Sequence, residues 1–250
     1  MLDARTTIQW GSALLWLGGV AGGSFLISWF LTDVLHARRA AYVAWLTLLT
    51  GGLTFGYLAW SGAGAAFWVD RWVWGILGAG LAGTFLALMV SRVPTRRSTG
   101  RMSGIGALWD GVVYGSAEGL LLSVLPVVIT WQLLGSLGWT TGWRGAAAVP
   151  AALAASVIVI VVHHLGYRAY RGREIVSPVV GCTVLSLAYL VTASPIAAVG
   201  GHIILHLVMK RRGMELPPHA DAGVAEMEQE LTRPQGTLVG GVARLRGGAR

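Results

Sequence analysis

Apolar stretches about 20 residues long and almost free of charge follow one another through most of this chain, and that pattern leaves few folds open. A segment of that length and polarity matches a helix crossing the hydrocarbon core of a bilayer. In lipid the backbone must satisfy its own polar groups, which a helix does within one segment. The stretches predict seven spans, at about 8–31, 40–60, 73–93, 108–134, 145–163, 177–193 and 195–209. Composition agrees, since only 12% of the 250 residues are charged, against about 25% in a soluble domain. The expected fold is therefore all-α, a polytopic transmembrane bundle. It divides into three N-terminal spans (1–107), a four-span core (108–212) and a flexible cytoplasmic tail (213–250) rich in Pro, Gly and mixed charge. The first apolar segment is long enough to span and is read as a helix, not as a cleaved leader. The last two spans meet at Thr192-Ala193-Ser194-Pro195, so one broken helix is an alternative, and Pro126 marks a candidate kink in the fourth.

Loop charges orient the bundle. Arg38 and Arg39 follow the first span, and Arg92, Arg96, Arg97 and Arg101 the third. Arg168, Arg171 and Arg173 follow the fifth, and Lys210, Arg211 and Arg212 the seventh. The alternate loops hold only Asp70 with Arg71, then Arg144, then nothing. Basic loops face the cytoplasm, which places the N-terminus outside and the C-terminus inside. The net charge of +8 is thereby assigned to membrane flanks and anionic lipid, with no nucleic-acid partner implied. Cys182 is the single cysteine, so neither an intrachain disulfide nor a thiolate metal cluster is available. The 36 glycines suit close helix packing in lipid, and the 12 tryptophans lie mainly near span ends, as an aromatic belt would.

Few polar groups fall inside the spans. Asp33, His36, Asp70 and Asp110 sit at span ends, and Asp110 and Arg101 read as surface charges. Glu118 is the one carboxylate well within a span, eight residues beyond Asp110, or roughly 12 Å deep at 1.5 Å per residue. His202 lies at a similar depth on the seventh span, and His206 follows one turn later on the same face. His163 and His164 close the fifth span on the same side. Topology alone thus gathers Glu118, His163, His164, His202 and His206 toward one leaflet. Ionisable groups in a membrane are costly, and by default they mark a functional site. Such a set can hold a divalent metal such as zinc with an open position for water. Alternatively, a desolvated carboxylate can act as general base on water.

Three motifs carry a family resemblance: Glu118-Gly119-Leu120-Leu121-Leu122-Ser123, the pair His163-His164 after 157–162, and His202-Ile203-Ile204-Leu205-His206 after Ser194-Pro195-Ile196. In order and helical placement they resemble the CPBP (Abi, or CAAX-protease-like) membrane peptidases. That family carries Glu-Glu-x-x-x-Arg, Phe-x-x-x-His and His-x-x-x-Asn. Gly119 stands at the second Glu, Ser123 at the Arg, Val159 or Ile160 at the Phe, and His206 at the Asn. The resemblance covers about 109–212. It implies a peptidase cutting near the cytoplasmic leaflet, on a membrane-anchored or lipidated protein. Glu118 with His164 or His163 would activate water, while His202 and His206 would orient a metal or stabilise the oxyanion. The altered first motif equally suits a non-catalytic relative.

Other classes compete. In a proton-coupled transporter, Glu118 and the histidines would form a relay and the Ser194-Pro195 break a gate. A haem protein would use His164 with His202 as axial ligands. A scaffold would use its basic loops only to hold lipid.

Overall fold

The structure is a computed structural model that describes residues 9–93 and 104–214. Arg96, Arg97 and Arg101 and nearly all of the expected tail lie outside the described residues. Among the described residues seven long helices follow in order, with no strand. They are α1 (Trp10–Val34), α2 (Arg39–Ser61), α3 (Trp72–Ser91), α4 (Gly104–Ser136), α5 (Gly142–Leu165), α6 (Val176–Thr192) and α7 (Pro195–Arg211). A single helical turn, Ala66–Val69, precedes α3. The first six segments are long and apolar enough to cross a membrane, α6 with the short turn Arg173–Ile175 before it. At 17 residues, α7 measures about 26 Å, close to the hydrocarbon thickness of about 30 Å.

α6 and α7 are separate helices. Ala193 takes a left-handed conformation (φ 50°) that ends α6, and Pro195, whose fixed φ suits a helix start, opens α7. Contacts fix the helix directions. Trp16 packs on Tyr57 and Ser28 meets Tyr42, so α1 and α2 are antiparallel. Arg39 pairs with Asp110 and Tyr57 with Gln132, so α2 and α4 run the same way. Gly78 approaches Ala197 and Gly83 approaches Ile204, so α3 and α7 are parallel. This alternation is what successive membrane crossings require. Large apolar side chains such as Leu15, Leu48, Phe55, Leu81 and Val191 face outward, toward lipid.

α4 is the axis of the bundle. In its most apolar 18-residue stretch 78% of the residues are buried, against 22–33% in α1, α2, α3, α5 and α6. A helix apolar all round is one that neighbours surround. α4 contains two wide π-type stretches, Ala107–Val113 and Gly119–Val124, on either side of the α-helical Tyr114–Glu118. Pro126 follows the second, and it cannot donate to the carbonyl of Leu122 four residues back. Ser156 of α5 donates to that carbonyl instead, at 2.7 Å, and the same hydroxyl meets Ser186 of α6 at 2.7 Å.

Candidate functional site

α7 reaches the site because α4 presents glycine at every fourth position toward it. A Cβ on Gly115 would fall 3.0 Å from the Ile203 Cα, and one on Gly119 would fall 2.9 Å from the Val199 Cα. On Gly111 it would collide with the Leu207 side chain. Only glycine permits this backbone approach, and it lays the His202 and His206 face of α7 beside Glu118.

Glu118 is almost wholly buried (5% exposed) and both of its oxygens are engaged. Tyr114, one turn earlier on α4, donates its hydroxyl to Oε1 at 2.5 Å. His206 Nε2 lies 2.7 Å from Oε2, and His163 Nε2 lies 3.6 Å from Oε1. His163 then closes a ring of side chains from three helices and a loop. Its Nδ1 meets Ser28 of α1 at 3.2 Å, and Ser28 meets Tyr42 of α2 at 3.3 Å. Tyr42 bonds the hydroxyl of Tyr167, just beyond α5, and Tyr167 returns to His163 Nε2 at 3.3 Å. Burial, with Tyr114, Tyr42 and Glu118 close by, pushes the Tyr167 phenol well above its ordinary value. It enters the ring as a neutral hydroxyl, able to donate and accept at once.

Of the adjacent histidines, His163 is therefore the one at Glu118. His164 is also buried, but its Nδ1 turns back to the Ile160 carbonyl of its own helix at 2.8 Å, and its ring packs against Tyr170. No hydrogen bond or ring contact joins His164 to His202 among the described residues. His202 stacks on His206 with ring centroids 6.0 Å apart. It is 1% exposed, and neither of its nitrogens has a partner.

Glu118, His202 and His206 offer three ligand atoms within 4.8 Å of one another, the triple that best matches the metal set expected from sequence. As folded, one pair in the set is already hydrogen-bonded, while both His202 nitrogens and His206 Nδ1 have no partner. His206 spends Nε2 on Glu118 Oε2, and Oε1 already accepts from Tyr114. An ion bridging these residues would have to compete with the Glu118–His206 contact.

Asp110 corrects the reading of a surface charge. It is 7% exposed and bonded to Arg39 Nε at 3.1 Å and Lys210 Nζ at 2.7 Å. The Arg39 guanidinium lies 4.3 Å from the centre of the Tyr114 ring, so this cluster sits directly beneath the tyrosine that holds Glu118. The carboxylate is buried because α2 and α7 cover that end of α4 with one cation each. At the same end, Arg171 pairs with Asp33 at 2.5 Å.

Sequence reasoning found Glu118 and the histidines but passed over Ser28, Tyr42, Tyr114 and Tyr167. Hydroxyl residues in apolar helices are common and carry no pattern of their own. Tyr114 alone had a usable signal, four residues before Glu118 and hence on its face. Comparison with protein-family models, with characterised proteins and with solved structures returns no match.

Proposed function

We propose that this chain is a proton-coupled membrane protein of the transporter class, with Glu118 as the proton-holding group and His163 as the group that supplies it. One observation carries the reading. A string of polar contacts runs from Tyr167, near the basic end of the bundle, through Tyr42 and Ser28 to His163 Nδ1, and from His163 Nε2 to Glu118 at 3.6 Å and on to His206. Each hydroxyl and imidazole in that string can accept a proton on one side and release one on the other. A carboxylate with two imidazole neighbours in a lipid-enclosed core has little structural reason to be there, because replacing buried ions with apolar side chains usually costs a bundle nothing. The basic end is read as cytoplasmic by the positive-inside rule, so the string would load from the cytoplasm.

Proton flux into proteoliposomes, driven by an imposed potential and followed with an enclosed pH dye, tests this. Wild type should conduct, Glu118→Gln should fall at least tenfold, and His163→Gln should lie between. Equal flux in wild type and Glu118→Gln, with both folded, would end the proposal.

A second reading is the hydrolase implied by the CPBP-like motifs. It is favoured by the 2.7 Å Glu118–His206 contact, since a carboxylate–imidazole pair is a general base for water. Its substrate would be a membrane-anchored or lipidated protein. Cleavage of a mixed peptide set that includes prenylated tails, lost in Glu118→Gln, would select this reading over proton coupling.

A further inference from the structure

At the end of the bundle away from Glu118, a cavity of about 250 Å³ opens between α4, α6 and the start of α3, lined by Arg71, Val127, Trp131, Tyr189, Leu190, Val191 and Ala193. Three features of its lining are unusual together. Tyr189 is fully buried, and its hydroxyl has no hydrogen-bond partner. Burying an unpaired hydroxyl is unfavourable, and such a group signals a ligand or solvent that completes it. Arg71 is the only charged group in the lining, and no carboxylate among the described residues lies within ion-pair distance of it. Finally, two of the three described non-glycine residues with positive φ, Arg71 (58°) and Ala193 (50°), both line this one cavity. Left-handed backbone at residues with a Cβ is strained and gathers at binding sites.

The chemistry of the lining selects the ligand. A guanidinium has donors only, and the Tyr189 hydroxyl has a proton to give, so the polar part of the guest must accept hydrogen bonds and carry negative charge. The remaining walls, Val127, Trp131, Leu190, Val191 and Ala193, are apolar and belong to the membrane-embedded helices α4 and α6, with Ala193 at the end of α6. We propose that this cavity binds the head and first carbons of a single-chain anionic amphiphile, with the rest of the chain in lipid. A carboxylate head (a free fatty acid) and a phosphate head (a single-chain lipid phosphate) meet the same requirement. The proposal does not depend on proton coupling at Glu118.

Equilibrium binding of radiolabelled dodecanoate to the full-length protein in nanodiscs tests it, with unlabelled dodecyl phosphate and dodecanol as competitors. Saturable binding near one per chain is expected, weakened at least tenfold in Arg71→Gln and several-fold in Tyr189→Phe. Arg144→Gln, which removes a cation at the same end, should leave binding unchanged. Displacement by dodecyl phosphate but not dodecanol would support an anion-reading site. Preference for one head over the other would distinguish the carboxylate source from the phosphate source. Absence of saturable binding by either anion, equal competition by dodecanol, or undiminished affinity in both Arg71→Gln and Tyr189→Phe would overturn the proposal. Tyr189→Phe keeps the ring in place, so its effect on binding is separable from an effect on folding, which a melting curve records alongside.

Discussion

Ser28 shows how much one hydroxyl can organise. It touches His163 on one side and Tyr42 on the other, so Ser28→Ala leaves the Nδ1 of a fully buried imidazole without a partner. The loss should be about 1–2 kcal/mol, read by denaturant titration in mixed micelles with helical circular dichroism as the probe. Asp110 lies between two cations, so Asp110→Asn leaves a buried guanidinium and an ammonium facing each other across a neutral amide. Breaking a buried pair of this kind costs about 3 kcal/mol, and the same titration should show a larger shift than for Ser28→Ala. If Asp110→Asn instead unfolds like wild type, the Arg39–Asp110–Lys210 cluster contributes nothing to the bundle.

At the scale of helices, the α4–α7 contact decides whether there is a site at all. Gly111, Gly115 and Gly119 bring two backbones together, and the two π-type stretches set the rotation at which Glu118 and Tyr114 leave α4. π-type turns inside helices are frequent at functional positions. In Gly115→Ala the new methyl meets the Ile203 backbone, which cannot rotate away as a side chain would. The expected cost is about 1–3 kcal/mol for overpacking, with His206 displaced from Glu118. Flux in proteoliposomes should drop in Gly115→Ala although no polar group has changed. Gly18→Ala on α1 is the control, because a Cβ there meets open space, and it should behave as wild type in both measurements.

For the molecule as a whole, the asymmetry of charge between its ends is the main prediction. With Cys182 buried, single cysteines placed at Arg144 and at Arg173 report on opposite ends. A membrane-impermeant maleimide added to intact cells should label the cysteine replacing Arg144 and spare the one replacing Arg173 until the membrane is opened. The reverse pattern would invert the bundle and move the loading side of the proton string to the other compartment. Both positions reacting from outside would remove the alternating topology.

Helix number, the break between α6 and α7, and the gathering of Glu118, His202 and His206 toward one end were all legible in the sequence. Each follows from local physics: the length a helix needs to cross lipid, the turn preference of Ser194-Pro195, and the four-residue spacing that puts two imidazoles on one face. Depth along a span can likewise be counted from its charged end. Rotation about the helix axis cannot, because spans such as α4 are apolar on every side and no polar face announces which way a residue points. That rotation selected His163 over His164, buried Asp110 between Arg39 and Lys210, and aimed Tyr114 at Glu118. It also joined Ser28, Tyr42 and Tyr167, which are far apart in the chain, into one ring. Sequence thus determined which groups are costly to bury and at what depth they lie. Only the packing of α4 against its neighbours decided which of them meet, because hydrogen-bond partners across helices are set by tertiary contact and by nothing local.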